Sequence, residues 1–259
     1  MAKQLNPWVV MVLALALLGG QPSWAQGVNR MVRIAAEDSW LPFSGPQGRG
    51  LSHQIAAEAF ATQRYQLLTH AAPYARALRM VEQGQMDACW NVTRQANTEA
   101  RFHFGTEPLL HAGVSFIYRA DNVHPYTQIA DIPNGTKIGV ILGFEYGDVF
   151  ERHKHRFKIQ AVPTQKSLLL MLEAQRFDLV LMFDEVFAFN LDALELDPAA
   201  FIKGRSFYRS DIFIAFDASS PRSVVLSEAL DKGLKHLRQT GRYAEIMNAA
   251  GRPALPSPL

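Results

Sequence analysis

From residue 31 onward, short apolar runs of strand character alternate with amphipathic stretches of helical spacing, and the whole alternation occurs twice. "MVRIAAE", 31–37, is a β-rich run ending in an acid, and "DSWLPFSGPQGRG" after it reads as a loop. In 51–63, Leu51, Ile55 and Ala59, flanked by Ala56 and Phe60, recur at helical spacing. "YQLLTHA" predicts a strand. Residues 74–84 predict a helix with Ala77, Leu78 and Val81 inward and Gly84 as its stop, and "MDACWNV" predicts the next strand. The order β-α-β-α-β over 31–93 argues for a parallel sheet with helical crossovers.

The pattern restarts over 136–190. A buried strand at Lys137–Leu142 precedes a helical "EYGDVFERHK", a strand "FKIQAVP", a helix "TQKSLLLMLEAQRF", a strand "DLVLMF" and a helix "DEVFAFNLDAL". Strong strands at 112–120 and 210–218 bracket this second unit, and two amphipathic helices parted near Gly241 close the chain. The chain is thus expected to enter a second lobe near Arg119 and return near Ser210, through two extended strands that make a hinge. The expected division is 26–117 plus 211–259 for lobe 1 and 118–210 for lobe 2. Ligands of open α/β sheets bind beyond the carboxyl ends of strands. Glu37, the segment after "MDACW" and Asp184 fall at such ends.

Composition narrows the function class. The net charge is +2, acids and bases are mixed along the chain, and no long basic run marks a nucleic-acid partner. Lys3, the apolar "WVVMVLALALLGG" and the small residues Ser23 and Ala25 predict a signal peptide cut after Ala25. The apolar run is shorter than the roughly 20 residues of a spanning helix. The mature chain is therefore expected to be exported to the periplasm, without membrane insertion, and monomeric. Cys89 is the single cysteine, which excludes an intrachain disulfide; in "MDACWNV" it reads as an inert core residue. His153 and His155 in "HKHR" point apart on a helix, so they read as a solvated basic face rather than metal ligands, and no metal or cofactor is expected.

Ordered landmarks over about 30–250 carry a family resemblance. "RIAAEDSWLPFSG" resembles an opening strand and loop, an acid followed by an aromatic and then Pro-Phe. "RALRMVEQGQMDAC" is similar to a helix, G-x-x-D-A and strand; "TEARFHFGTEPLL" resembles T-x-x-R followed by F-[ST]-x-P. "TKIGVILGFEYGDVF", "RFDLVLMFDEVFAFNL" and "GRYAEIMNAAG" are similar to the second-lobe opening, its last strand and helix, and the closing helix. Together these resemble the periplasmic solute-binding proteins of the polar amino-acid type, family 3. The resemblance implies an α/β fold of two lobes (the type II periplasmic binding protein-like fold), each a mainly parallel sheet flanked by helices. It also implies a small-molecule ligand, an amino acid or related carboxylate, and a partner that is an ABC-transporter membrane subunit or a sensor protein.

It implies jobs for residues as well. Arg101, the arginine of T-x-x-R, would grip the ligand carboxylate in a forked pair, and Asp184 would take the ammonium. The alternative for Arg101 is a surface residue on a turn; for Asp184 it is a helix N-cap, or both roles at once, one oxygen capping and the other holding ligand. Glu37 and Trp40 match the acid and aromatic of the first loop; Trp40 either stacks on a ligand cation or packs the loop. Tyr74 and Trp90 either line the cleft or belong to the core.

The chain departs from the pattern in three places. Phe144 stands where the family has Ser or Thr after the glycine, Gly143, leaving backbone N–H groups near a helix start at Glu145 to hold an anion. The stretch from Asp87 to Thr98 is about two residues long of the pattern, so Thr93 and Arg94 carry no assignment. His53 displaces the acid of the first helix. Relatives that are cyclohexadienyl dehydratases make catalysis the rival, with Glu37 and Glu173 as acid candidates, though Glu173 reads as a solvated helix face and no nucleophile–base pair is evident. No catalytic residue is therefore assigned.

Overall fold

The computed structural model describes residues 30–124 and 126–249. The expected signal peptide lies outside them. One sheet runs through the molecule, with strands β1 (Met31–Glu37), β2 (Gln66–Ala72), β3 (Ala88–Thr93), β4 (Phe102–Phe104), β5 (Leu110–Arg119), β6 (Lys137–Ile141), β7 (Lys158–Val162), β8 (Leu179–Phe183) and β9 (Phe201–Asp217). Their spatial order is β2-β1-β3-β9-β5-β8-β6-β7, with β4 also on β9. The helices are α1 (Leu51–Thr62), α2 (Tyr74–Glu82), α3 (Ala96–Glu99), α4 (Asp148–His153), α5 (Gln165–Glu173), α6 (Asp184–Ala193), α7 (Arg222–Gln239) and α8 (Arg242–Ala249).

Both predicted β-α-β-α-β units form. β1 pairs parallel with β3, and β6 pairs parallel with both β7 and β8. Every residue of β3 and β8 is buried, as central strands covered on both faces require. β5 and β9 then join the halves as an antiparallel ladder from Leu110 opposite Ile212 to Arg119 opposite Phe201. The expected lobe boundaries near 117 and 210 fall inside these two strands.

Three local expectations change. β9 begins at Phe201, nine residues before the predicted 210, because its first half is mostly solvent-facing and lacks the apolar run that marked the rest. α4 starts at Asp148 rather than Glu145: Gly147, at φ 90°, breaks the helical path there. The short α3 was not foreseen; the Thr98 hydroxyl accepts from the Gln95 N–H and donates to the Thr93 carbonyl at 2.7 Å, closing one turn that no apolar period announces.

α7 crosses α1 so closely that a Cβ on Gly233 would lie 2.1 Å from the Ala59 carbonyl oxygen. Replacing a helical glycine by alanine ordinarily stabilises by up to about 1 kcal/mol. Here the obstacle is backbone, which cannot swing aside, so the sign reverses. Gly233→Ala is expected to destabilise by about 1–3 kcal/mol, read as a lowered urea midpoint with an unchanged slope.

Candidate functional site

A small cavity lies where strands from both halves end. Glu37 ends β1, and Asp38 and Ser39 follow it; Pro73, Tyr74 and Ala75 follow β2; Ile141, Leu142 and Phe144 come from the end of β6; Pro163 follows β7. Its volume is about 40 Å³, room for an ammonium-sized group or two waters. Gly143, at φ 86°, brings the second half against the first: a Cβ there would lie 3.1 Å from that of Ala75.

Contacts across the cleft hold it shut. The Tyr74 hydroxyl donates to Glu145 Oε2 at 2.6 Å. The Gly147 N–H donates to Gln95 Oε1 at 3.1 Å, and the Ala96 N–H to Asp148 Oδ1 at 3.3 Å. The Tyr74 and Phe144 rings meet edge to face at 5.0 Å, as do Trp40 and Phe183.

The carboxyl groups here are unusual. Glu37 is 1% exposed; its Oε1 has no hydrogen-bond partner among the described residues, and Asn91 Nδ2 reaches Oε2 at 3.5 Å. Burial raises its pKa well above the ordinary carboxylate range, and nearby Glu145 and Asp38 add to this. Burial also holds Glu145 at about 8, against the lowering effects of the Tyr74 hydroxyl and, farther off, the Arg101 guanidinium. Asp38 is raised by burial too. Tyr74 is pushed well up, first by burial and then by the Glu145 charge. Asn91 supports Glu37 from a bulge in β3: it sits at φ 65°, a conformation that asparagine tolerates, and accepts a hydrogen bond from the Ser52 hydroxyl.

Of the predicted residues, Glu37, Tyr74 and Phe144 line the cavity. Trp40 is buried beside it against Phe43 and Phe183, with its Nε1 lacking a partner among the described residues. Trp90 belongs to the core and donates through Nε1 to Ser44 Oγ at 3.0 Å. Arg101 lies elsewhere: its Nε donates to Glu82 Oε1 at 2.7 Å, and its guanidinium covers the Phe102 ring. Arg94 pairs with Glu99 at 2.6 Å.

Asp184 sits at the junction of the halves. It accepts from Ser115 Oγ at 2.6 Å, lies 3.4 Å from Lys203 Nζ and covers the bare backbone of Gly113. It is not an N-cap: it is the first residue of α6, and Phe183 precedes the helix without a side-chain cap. The anion site expected at Glu145 is not formed by a helix end, since α4 starts later and the Gly147 N–H is taken by Gln95. Cys89 is buried, and its thiol is pushed well up by burial. Glu173 is exposed on α5.

Asp38, Asn91 and Glu145 were missed. Glu145 had a signal, an acid directly after the glycine-aromatic pair that opens the second unit. Asn91 had none, because nothing in "CWNV" announces a bulge.

The pattern of known proteins agrees with this architecture. Residues 32–251 match the family of bacterial extracellular solute-binding proteins, family 3. No curated protein matches the sequence. Among solved structures, a histidine kinase sensor domain with similarity to periplasmic binding proteins is 15% identical, with a TM-score of 0.72 over 85% of this chain and 95% of that one. An ancestral amino acid-binding protein, a precursor of cyclohexadienyl dehydratase, is 15% identical, with a TM-score of 0.70 over 86% and 96%. An amino acid ABC transporter substrate-binding protein from Streptococcus pneumoniae, bound to L-arginine, is 17% identical, with a TM-score of 0.70 over 85% and 94%. At such identities the likeness speaks for the fold.

The Glu145 carboxyl makes stability fall as pH rises. The folded chain keeps this proton up to about 8, whereas the unfolded chain releases it near 4.3. Between those values the folded state binds more protons, so raising the pH favours unfolding. In thermal melts from pH 5 to 9, wild type is expected to lose ground steadily to Glu145→Gln up to about pH 8, after which the difference levels off. Parallel melting curves at all pH values would contradict this.

Proposed function

The chain belongs to the bacterial extracellular solute-binding proteins, family 3, and from that premise we propose that it captures an amino acid or a related small amino-bearing solute in the cleft between its halves. It does so after export to the periplasm, with the leader over residues 1–25 removed, and hands the solute to an ABC-type membrane transporter. The reading is non-catalytic. Lobe 1 corresponds to 26–117 plus 211–259 and lobe 2 to 118–210, with β5 and β9 between them as the hinge.

One observation carries this reading. The cavity is closed by strand ends from both halves and lined by Glu37, and one oxygen of that buried carboxyl, Oε1, has no hydrogen-bond partner among the described residues. An unpaired buried acceptor costs on the order of 1–3 kcal/mol or more. A ligand donor reaching it from within the cleft would recover that cost in the closed form alone, which is how a solute shifts the balance toward closure. Two of the solved neighbours, the ancestral amino acid-binding protein and the substrate-binding protein bound to L-arginine, support the ligand class.

The test is a thermal-shift screen of amino acids and small amines, followed by titration calorimetry. A ligand at a hundredfold excess over its Kd is expected to stabilise by about 2.7 kcal/mol, with one site per chain. Ala75→Trp, which wedges the point where Gly143 approaches, is expected to weaken binding at least tenfold while both halves stay folded. A chain that binds no amino-bearing solute, or an Ala75→Trp variant that binds as well as wild type, overturns the reading.

A further inference from the structure

The charge of the cavity wall narrows the solute class further. Two carboxylate side chains, Glu37 and Asp38, line the cavity, and no Lys, Arg or His is among its lining residues. Of the cations outside the wall, Arg101 holds Glu82, Arg94 holds Glu99 and Lys203 faces Asp184, while Arg76, next to Ala75, is exposed. Glu37 is 1% exposed and has an oxygen with no partner among the described residues. The rest of the wall is largely apolar: Pro73, Leu142, Phe144, Pro163 and the ring of Tyr74. A carboxylate brought into this space would be stripped of water beside two acids with no cation among the lining residues to answer it, a costly arrangement for a charge.

A cationic head meets the opposite situation. It supplies the donors that Glu37 lacks, and it lies against aromatic rings whose faces attract cations. Resting on the reading of the cleft as a solute trap, we infer that this site takes a small organic cation without a carboxylate, an alkyl amine, diamine or alkyl guanidine, with its head against Glu37 and Asp38. The cavity of about 40 Å³ holds that head group; the alkyl chain is accommodated only as the halves part. The competing arrangement is also concrete. Were Arg101 to leave Glu82 and turn into the opened cleft, a ligand carboxylate would gain its forked partner, and amino acids would win.

Matched pairs separate the two. Agmatine and arginine differ by one carboxylate, as do cadaverine and lysine. Titration calorimetry on the full mature chain at fixed ionic strength is expected to give each decarboxylated member at least tenfold tighter binding than its amino acid. Glu37→Gln is expected to weaken the amines at least tenfold, and Asp38→Asn, a milder change at a half-exposed position, to weaken them severalfold. Arg101→Ala is expected to leave amine binding unchanged. Arginine or lysine binding as tightly as its amine, or more so, overturns the inference while leaving solute capture intact, and loss of that binding in Arg101→Ala would identify the rival arrangement. Amine affinity indifferent to both Glu37→Gln and Asp38→Asn overturns it as well. Binding of neither class defeats both the inference and the reading it rests on.

Discussion

The antiparallel ladder between β5 and β9 carries both halves of the molecule. β3 and β4 hang on one side of it, through β9, and β8 on the other, through β5. A slip of one residue in this ladder would turn every side chain of one strand to the opposite face, so the register from Leu110–Ile212 to Arg119–Phe201 fixes where both sets of strand ends lie. The register shifts near Val114 and Ser115 are where the ladder bends. Gly113, Ser115 and Ser206 occupy that stretch, and Asp184 fills the space above the glycine. An acid set in an otherwise apolar run is thereby explained: Asp184 leaves the core strand at the bend, where a serine hydroxyl and a lysine answer it.

The second constraint is electrical. Closing the halves removes Glu37 and Glu145 from water, and a carboxyl in that position must keep its proton or find a partner. Glu145 meets the demand with a proton and the Tyr74 hydroxyl. Glu37 meets it only partly, with one weak bond from Asn91. The asymmetry separates a latch from a receptor: the satisfied acid fastens the closed form, and the unsatisfied one gives a ligand something to gain.

Periodicity disclosed most of the fold, since nearly every strand and helix is a clean apolar run or a helical stripe bounded by Gly, Pro or a polar cluster. What it lost were the short α3 and β4 and the exposed first half of β9, whose register is imposed by β5 rather than by burial. The site was less legible. The end of the first strand placed Glu37 at the cleft, because a residue at a strand's end can be located from its neighbours; Tyr74 was an aromatic open to cleft or core, and Phe144 stood out only as a departure from the family pattern. The ligand roles of Arg101 and Asp184 came from a family pattern, and here local partners hold both: Glu82, the last residue of α2, pairs with Arg101, and Ser115 in the bend of β5 donates to Asp184. Neither partner is adjacent in sequence. Nor is the Tyr74–Glu145 bond visible in the chain, since its ends are 71 residues apart.

Closure without ligand is held by little. Besides aromatic edges, the cross-cleft bonds among the described residues are one hydroxyl–carboxyl contact and two from backbone N–H groups, each worth about 0.5–1.5 kcal/mol net. Against them stands the cost of burying two carboxyls, which grows as the pH rises and their protons are harder to keep. The fewer the bonds that hold closure without ligand, the smaller the differential affinity a ligand needs to move the population. A stronger latch would leave no response to solute, and a fully satisfied Glu37 would leave the solute nothing to add. The weak bond from Asn91 sits between these limits.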